Sequence, residues 1–250
     1  MFDPAKPTLK KRLAEGQAFG VFWFALGSVS VIEAAVVAGA EAIVIDMQHG
    51  LFTRTTLEAA IAVVPSHVPC IVRVEDDSTA AIGRALDAGA EGVIIPMIET
   101  AKQAKAAVSA CHYPPKGHRS GGGIRPLRQM GYMAAASEAI AVGLMIETDA
   151  GLSNRAAIAA TKNVDFVFIG RGDLALSLGT SSGSTTLSKA CNAILVASKR
   201  AGVPCGIFTM NPEAARAQIE EGYRITVVAN DVSAVGDAFT AAAKAFKGLG

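Results

Sequence analysis

Two stretches fifty residues apart repeat one grammar: Ala38-Gly-Ala-Glu-Ala-Ile-Val-Ile-Asp46 and Ala88-Gly-Ala-Glu-Gly-Val-Ile-Ile-Pro96. Each reads as a helix end, a glycine stop and a short strand that is apolar on both faces. Glu221-Gly-Tyr-Arg-Ile-Thr-Val-Val228 follows the same order more loosely. A strand that is apolar on both faces must be covered on both faces, which is the signature of a parallel sheet wrapped by helices. Taken along the whole chain, strands and helices alternate eight times. The expected fold is therefore an α/β (β/α)₈ barrel, a single domain over residues 1–250 with a short leader helix, and 250 residues is the usual length for one.

The boundaries follow from caps and stops. A leader helix is expected over residues 8–15, and strands near 19–26, 42–46, 70–74, 92–96, 141–147, 164–170, 204–209 and 224–229. Ser28 or Ser30 can cap the first barrel helix and Gly39 ends it, while Pro65 and Pro69 forbid continuation of the helix expected over 53–63. One helix is expected over 152–161 and another over 187–201, after a polar hinge at Ser181-Ser-Gly-Ser184. The long run Tyr113-Pro-Pro-Lys-Gly-His-Arg-Ser-Gly-Gly-Gly-Ile-Arg-Pro126 has no helical or strand period. Loops of that length inside a domain usually carry function or an interface.

Composition narrows the partner. The formal net charge is +1, so there is no electrostatic case for nucleic acid or an anionic membrane. The greasiest region, 29–45, is interrupted by Glu33 and Glu41, so no membrane span is expected, and the first residues lack the pattern of a signal peptide. Cys70, Cys111, Cys191 and Cys205 are scattered without metal-binding spacing and read as reduced, buried thiols of a cytoplasmic protein. A small-molecule enzyme remains.

In such barrels the chemistry sits at the C-terminal ends of the strands. Collecting the polar residues there gives Asp46, Gln48 and His49 after the second strand and Arg73 on the third. Glu147 ends the fifth, and Arg171 and Asp173 follow the sixth. Glu147 and Asp173 have two readings: caps of the following helices, or two oxygen ligands of a divalent ion with positions left open for water and substrate. His49, three residues after Asp46, is either a satisfied structural histidine or a base whose ring Asp46 orients. Arg73 either pairs with the acidic exit Glu75-Asp-Asp77 or stabilises a developing enolate oxygen. No lysine falls inside an expected strand, which excludes a Schiff-base aldolase. Thr209-Met-Asn-Pro and Asn230-Asp-Val-Ser, after the last two strands, lack the glycines of a phosphate-binding barrel.

Taken jointly, several motifs resemble the metal-dependent HpcH/HpaI aldolase family. They are Val44-Ile-Asp-Met-Gln-His-Gly50, Ile71-Val-Arg-Val74, Gly92-Val-Ile-Ile-Pro-Met97, Tyr113-Pro-Pro-Lys-Gly-His-Arg119, Met145-Ile-Glu-Thr148, Phe168-Ile-Gly-Arg-Gly-Asp-Leu174 and Ser177-Leu-Gly179. The likeness spans residues 17–245. It implies reversible aldol cleavage of a 4-hydroxy-2-oxo acid to pyruvate or hydroxypyruvate and an aldehyde, through an enolate stabilised by Mg²⁺, Mn²⁺ or Co²⁺. Glu147 and Asp173 would ligate the metal, and the backbone amides around Gly172 and Asp173 would hold the substrate carboxylate. Arg73 would stabilise the enolate oxygen, and His49 with Asp46 would move the proton.

The same resemblance implies a homotrimer or homohexamer with the C-terminal helix exchanged between neighbours. It also implies that the 113–128 loop reaches an adjacent subunit's site. The chain departs from the family pattern at Gln48, Met145 and Arg171-Gly172, where many members carry Glu, Gln and Pro-Ala. Those departures make Gln48, Met145 and Arg171 candidate substrate contacts, with Arg171 as a cation for a second carboxylate. Related activities on the same site are citrate-lyase-like or macrophomate-synthase-like carbon–carbon chemistry and oxaloacetate decarboxylation. A catalytically inert barrel serving as a binding or assembly subunit is the reading outside enzymology.

Overall fold

The computed structural model describes residues 7–248. Its eight strands are β1 (Phe19–Phe24), β2 (Ile43–Asp46), β3 (Cys70–Arg73), β4 (Gly92–Ile95), β5 (Ala141–Ile146), β6 (Phe166–Ile169), β7 (Cys205–Ile207) and β8 (Ile225–Asn230). All pair in parallel with their sequence neighbours, and β8 returns to β1 to close the barrel. Around it run α2 (Val29–Val37), α3 (Arg54–Val63), α4 (Thr79–Asp87) and α5 (Ala101–Cys111). These are followed by α6 (Ile124–Arg128), α7 (Tyr132–Ala139), α8 (Asp149–Ser153), α9 (Arg155–Ala159), α10 (Arg171–Ser177), α11 (Thr185–Arg200), α12 (Pro212–Glu221) and α13 (Asp231–Lys247). The leader α1 (Leu9–Ala14) precedes them.

The repeated grammar has a local cause. Gly39 and Gly89, each following a short helix end, adopt φ of +98° and +101°, a conformation a side chain disfavours, and release the chain into β2 and β4. Hydroxyl or amide side chains of Ser28, Thr53, Ser78, Thr100, Ser184, Asn211 and Asn230 accept a backbone N–H from the first turn of the helix that follows. Side chains alternate along every strand. Val21, Trp23, Val44, Ile71, Ile94, Met145, Phe168 and Val227 fill the inside of the barrel, whereas Ile43, Ile45, Val72, Val142, Leu144, Ile146, Val167 and Ile169 pack against the helices. The same alternation carries Asp46 and Arg73 inward at the ends of β2 and β3, and Glu147 inward directly beyond β5.

The opposite end is plugged. Leu9 and Leu13 of α1 are buried among the interior side chains, and Lys10 ties α1 to Asp165 at 3.1 Å. The four cysteines are free and buried. No described helix is long and apolar enough to cross a membrane.

Strand ends differ from the sequence reading by one or two residues, and three helices depart from it for a physical reason. The helix expected over 152–161 is broken at Asn154, whose side-chain amide donates to the Glu99 carbonyl at 2.7 Å, so it becomes α8 and α9. The aperiodic run to Pro126 holds the start of α6, with Pro126 in its first turn, where a missing N–H costs nothing. Ser184 caps α11 and starts it two residues before the expected Leu187.

Just beyond α5, His112 is 1% exposed and neither ring nitrogen has a hydrogen-bond partner. Burial lowers its pKa from 6.5 to about 4, with the charges of Lys10, Lys116 and Arg119 working in the same direction. Between those values the unfolded chain binds a proton that the folded chain refuses. This contribution is therefore fully present above the unfolded pKa and is lost as pH falls toward the folded one. Urea melts at about pH 7, 5.5 and 4.5 should show a loss of up to about 3 kcal/mol from this group. His112→Leu should flatten that acid limb; an unchanged limb would remove His112 as its source.

Candidate active site

The site is assembled at the C-terminal rim. Asp46 and Arg73 stand opposite each other in the β2–β3 register, so their inward side chains meet by construction. Arg73 Nε donates to Asp46 Oδ1 at 2.9 Å, and a terminal guanidinium nitrogen donates to Oδ2. The carboxylate accepts three further bonds: Trp23 Nε1 at 3.2 Å, the Gln48 N–H at 3.0 Å and the His49 N–H at 3.2 Å. Asp46 is 2% exposed and Arg73 9%. Burial alone would raise the Asp46 carboxyl, but Arg73's hydrogen bonds and charge, with those of the His49 N–H and Trp23, outweigh it and hold the group below its ordinary value.

Arg73 thus pairs with Asp46 and not with the acidic exit, where Glu75 instead faces Arg84 at 4.0 Å. Asp46 in turn does not orient the His49 ring. Its oxygens are occupied by Arg73, Trp23 and two backbone amides. The exposed His49 imidazole has no hydrogen-bond partner among the described residues.

Two strands on, Glu147 is 1% exposed. Its Oε1 accepts the Met97 N–H at 2.8 Å; its Oε2 is buried without a partner. Burial drives the carboxyl up to about 7; the Met97 amide pulls it down, Asp173 pushes it up and Arg73 pulls it down. Glu147, Asp173 and Arg73 therefore converge as expected. Asp173 sits in the first turn of α10, and no side chain caps that turn; Gly172 is exposed beside it. Among the described residues no cluster of three or more His, Cys, Asp or Glu could hold an ion. The donor set is this pair alone.

Two proposed substrate contacts are not side chains of the open rim. Met145 is 1% exposed and packs in the barrel interior two residues below Glu147, where it floors the site. Arg171 is the first residue of α10, and its side chain turns toward α11 and the segment before it. Its guanidinium donates to the Ser182 carbonyl at 3.1 Å and lies against Cys191. It is not a cation beside the carboxylate pair. Gln48 keeps its place at the rim, with its side-chain oxygen buried and unpartnered.

Sequence reasoning missed four contributors. Trp23 donates to Asp46 and packs on Phe168 (centroids 5.7 Å) and edge-on against Phe208 (5.3 Å), and its signal was only that it sits inward on β1. Met97 holds φ of +56°, unusual for a side-chain-bearing residue, and in that conformation its N–H reaches Glu147. A Cβ on Gly170 would overlap the Glu147 carboxylate. Asp231 accepts the Ala25 and Leu26 amides at 2.9 Å each and braces the loop after β1.

A family model, HpcH/HpaI aldolase/citrate lyase, matches residues 20–238. The chain belongs to this family. The 4-hydroxy-2-oxovalerate aldolase of Novosphingobium aromaticivorans is 35% identical over 97% of this chain and 93% of its own length. The hydroxypyruvate/pyruvate aldolase of Paraburkholderia phytofirmans is 34% identical over 90% and 91%. A crystal structure of an HpcH/HpaI aldolase/citrate lyase family protein from Burkholderia cenocepacia J2315 superposes with a TM-score of 0.89 at 33% identity, covering 97% of this chain and 100% of that one. The barrel and the motifs of this HpcH/HpaI chain therefore agree.

The buried Asp46–Arg73 pair gives a direct test. Asp46→Ala leaves a guanidinium and an indole N–H uncompensated and should cost about 3–5 kcal/mol in urea denaturation. The apolar double replacement Asp46→Leu with Arg73→Met should cost less than the single change. An Asp46→Ala protein as stable as the parent would remove the pair as a structural element.

Proposed function

We propose that this protein is a divalent-metal-dependent aldolase. It would cleave and form 4-hydroxy-2-oxo acids, with pyruvate or hydroxypyruvate and an aldehyde as the two halves. The observation that carries the reading is the Glu147–Asp173 pair: a carboxylate with one orphaned, buried oxygen faces a second carboxylate at the rim. Such a pair needs a cation, and two protein oxygens with open positions suit Mg²⁺, Mn²⁺ or Co²⁺. The family is divalent-metal dependent. The residues fit the ion, and Glu147 and Asp173 would hold it. When bound, the cation supplies Lewis-acid polarisation of the 2-oxo group.

The chain's own groups do the rest. Arg73 is fixed by Asp46 through one edge of its guanidinium, which leaves a terminal nitrogen to donate to the oxygen that gains charge as C3–C4 breaks. The N–H groups of Gly172 and Asp173, in the uncapped first turn of α10, receive the substrate carboxylate. His49, with an uncommitted ring at the rim, takes the proton of the 4-hydroxyl, and a proton returns to C3 of the leaving pyruvate. Trp23, Phe168 and Met145 form an apolar floor that keeps water from the carbanion side.

Free, buried cysteines are consistent with a cytoplasmic home. Assembly as a homotrimer or homohexamer is supported by α13. From Asp237 onward every described residue of this helix is exposed, with Phe239 at 71% and Phe246 at 81%. Val232, Phe239 and Phe246 recur every seven residues, a spacing that makes one apolar seam needing a cover.

Pyruvate release from a 4-hydroxy-2-oxo acid should vanish in chelator and return with Mg²⁺, Mn²⁺ or Co²⁺; turnover retained in chelator would overturn the reading. The same ions should raise the melting temperature of the parent. Glu147→Gln should remove that rise, and Gly170→Ala should weaken it by crowding the carboxylate. Sedimentation should give a trimer or hexamer mass, and Phe239→Asp with Phe246→Asp should lower it; a monomeric parent would refute the assembly.

A further inference from the structure

Among the described residues, no hydrogen bond holds the side chain of His49, the group assigned to proton transfer. Its imidazole is exposed, so the ring stands wherever the main chain aims its Cα–Cβ bond. What fixes that main chain therefore fixes the base.

The turn from Asp46 to Leu51 is pinned on both sides of His49. Upstream, the Met47 N–H donates to the Arg73 carbonyl at 2.8 Å, and the Gln48 and His49 N–H groups donate to Asp46 Oδ1. Downstream, the Leu51 N–H donates to the Ala25 carbonyl at 2.7 Å. Gly50 passes the same residue closely, for a Cβ there would lie 3.2 Å from the Ala25 Cα. Gly27, at φ +72°, makes room for the Leu51 carbonyl, which a Cβ would meet at 2.8 Å. The downstream pin is thus the loop 25–28 that follows β1.

That loop hangs on α13. Asp231, the first residue of the helix, is 4% exposed and accepts the Ala25 N–H at Oδ1 and the Leu26 N–H at Oδ2, both at 2.9 Å. Asn230 sets where the helix starts by accepting the Ser233 N–H, and its register with Trp23 keeps the ends of β8 and β1 side by side. A carboxylate that receives two main-chain N–H groups is a strong two-point clamp. An unbroken line of contacts then runs from Asp231 through Ala25 and Leu51 to His49.

We propose that Asp231 is a positioning residue for the His49 base, acting through Ala25 and Leu51 without touching the substrate. This role presupposes the aldolase reading above, in which His49 takes the proton of the 4-hydroxyl. A base must stand within hydrogen-bond reach of its proton in the transition state, and a displacement of about 1 Å can cost about a hundredfold in rate. Glu147 is held separately, by the Met97 N–H. Loosening the clamp should impair proton transfer and leave cation binding intact.

The test compares Asp231→Asn, Gly27→Ala and His49→Ala, singly and combined, in the full-length protein with Mg²⁺ and 4-hydroxy-2-oxovalerate. Asparagine keeps the shape and one acceptor but sets an NH₂ against the second amide. Alanine at position 27 pushes on Leu51 from the other side, and it keeps the test decisive should Asp231→Asn not fold. Each of these two changes should lower kcat at least about tenfold and leave KM within about twofold, the split expected of an interaction made in the transition state. The rise in melting temperature with Mg²⁺ should stay at its parent value. In the His49→Ala background neither change should lower kcat further, because the clamp then has no base to place. An equal further loss there overturns the proposal, as does an unchanged kcat in both single variants. An unchanged kcat in His49→Ala removes the base and this proposal with it, whereas a parent without metal-dependent turnover refutes the aldolase reading itself.

Discussion

The Asp46–Arg73 ion pair is the interaction on which the rest of the rim depends. A guanidinium in the mouth of a barrel is held only if its charge is matched, and a buried carboxylate only if its lone pairs are filled. Here each condition satisfies the other, and the remaining acceptor capacity of Asp46 is spent on Trp23 and on the amides of Gln48 and His49. One side chain therefore sets the direction of Arg73, the tilt of the indole that floors the site, and the turn that delivers His49 to the rim. The parallel register makes this possible, because β2 and β3 end level with each other.

Across the mouth the logic is reversed. Glu147 is left electrically incomplete: one oxygen holds an amide and the other holds nothing, beside a second acid. Such an arrangement is costly for the charged form in the bare chain and is relieved by a proton or by a cation. The Met97 amide reaches Glu147 through a backbone conformation that few side-chain-bearing residues adopt, so the fold spends strain as well as desolvation to keep this carboxylate in place. Preorganisation of that kind belongs to a site that binds charge.

Much of this was legible in the amino acids. The strand that is apolar on both faces and ends in a polar residue announces a parallel barrel and the end at which its chemistry sits, and alternation of side chains places Asp46, Arg73 and Glu147 inside. What could not be read is who pairs with whom. Proximity in sequence suggested that Asp46 serves the His49 ring, but the strand register brings Arg73 to Asp46 from 27 residues away. Arg171 looked like a site cation because it neighbours Asp173; the chain has already turned into α10 there, and the side chain bonds the Ser182 carbonyl instead. Met97 and Gly170 act through backbone geometry and the absence of a Cβ, and neither leaves a mark in residue chemistry.

The plug formed by α1 bears on how the two ends of the barrel divide their tasks. Leu9 and Leu13 are seated among the interior side chains, and Lys10 ties the helix to Asp165. The leader therefore dries the end of the barrel that carries no rim acids, and the packed interior between lets the far end supply stability while the near end stays free to carry buried charge.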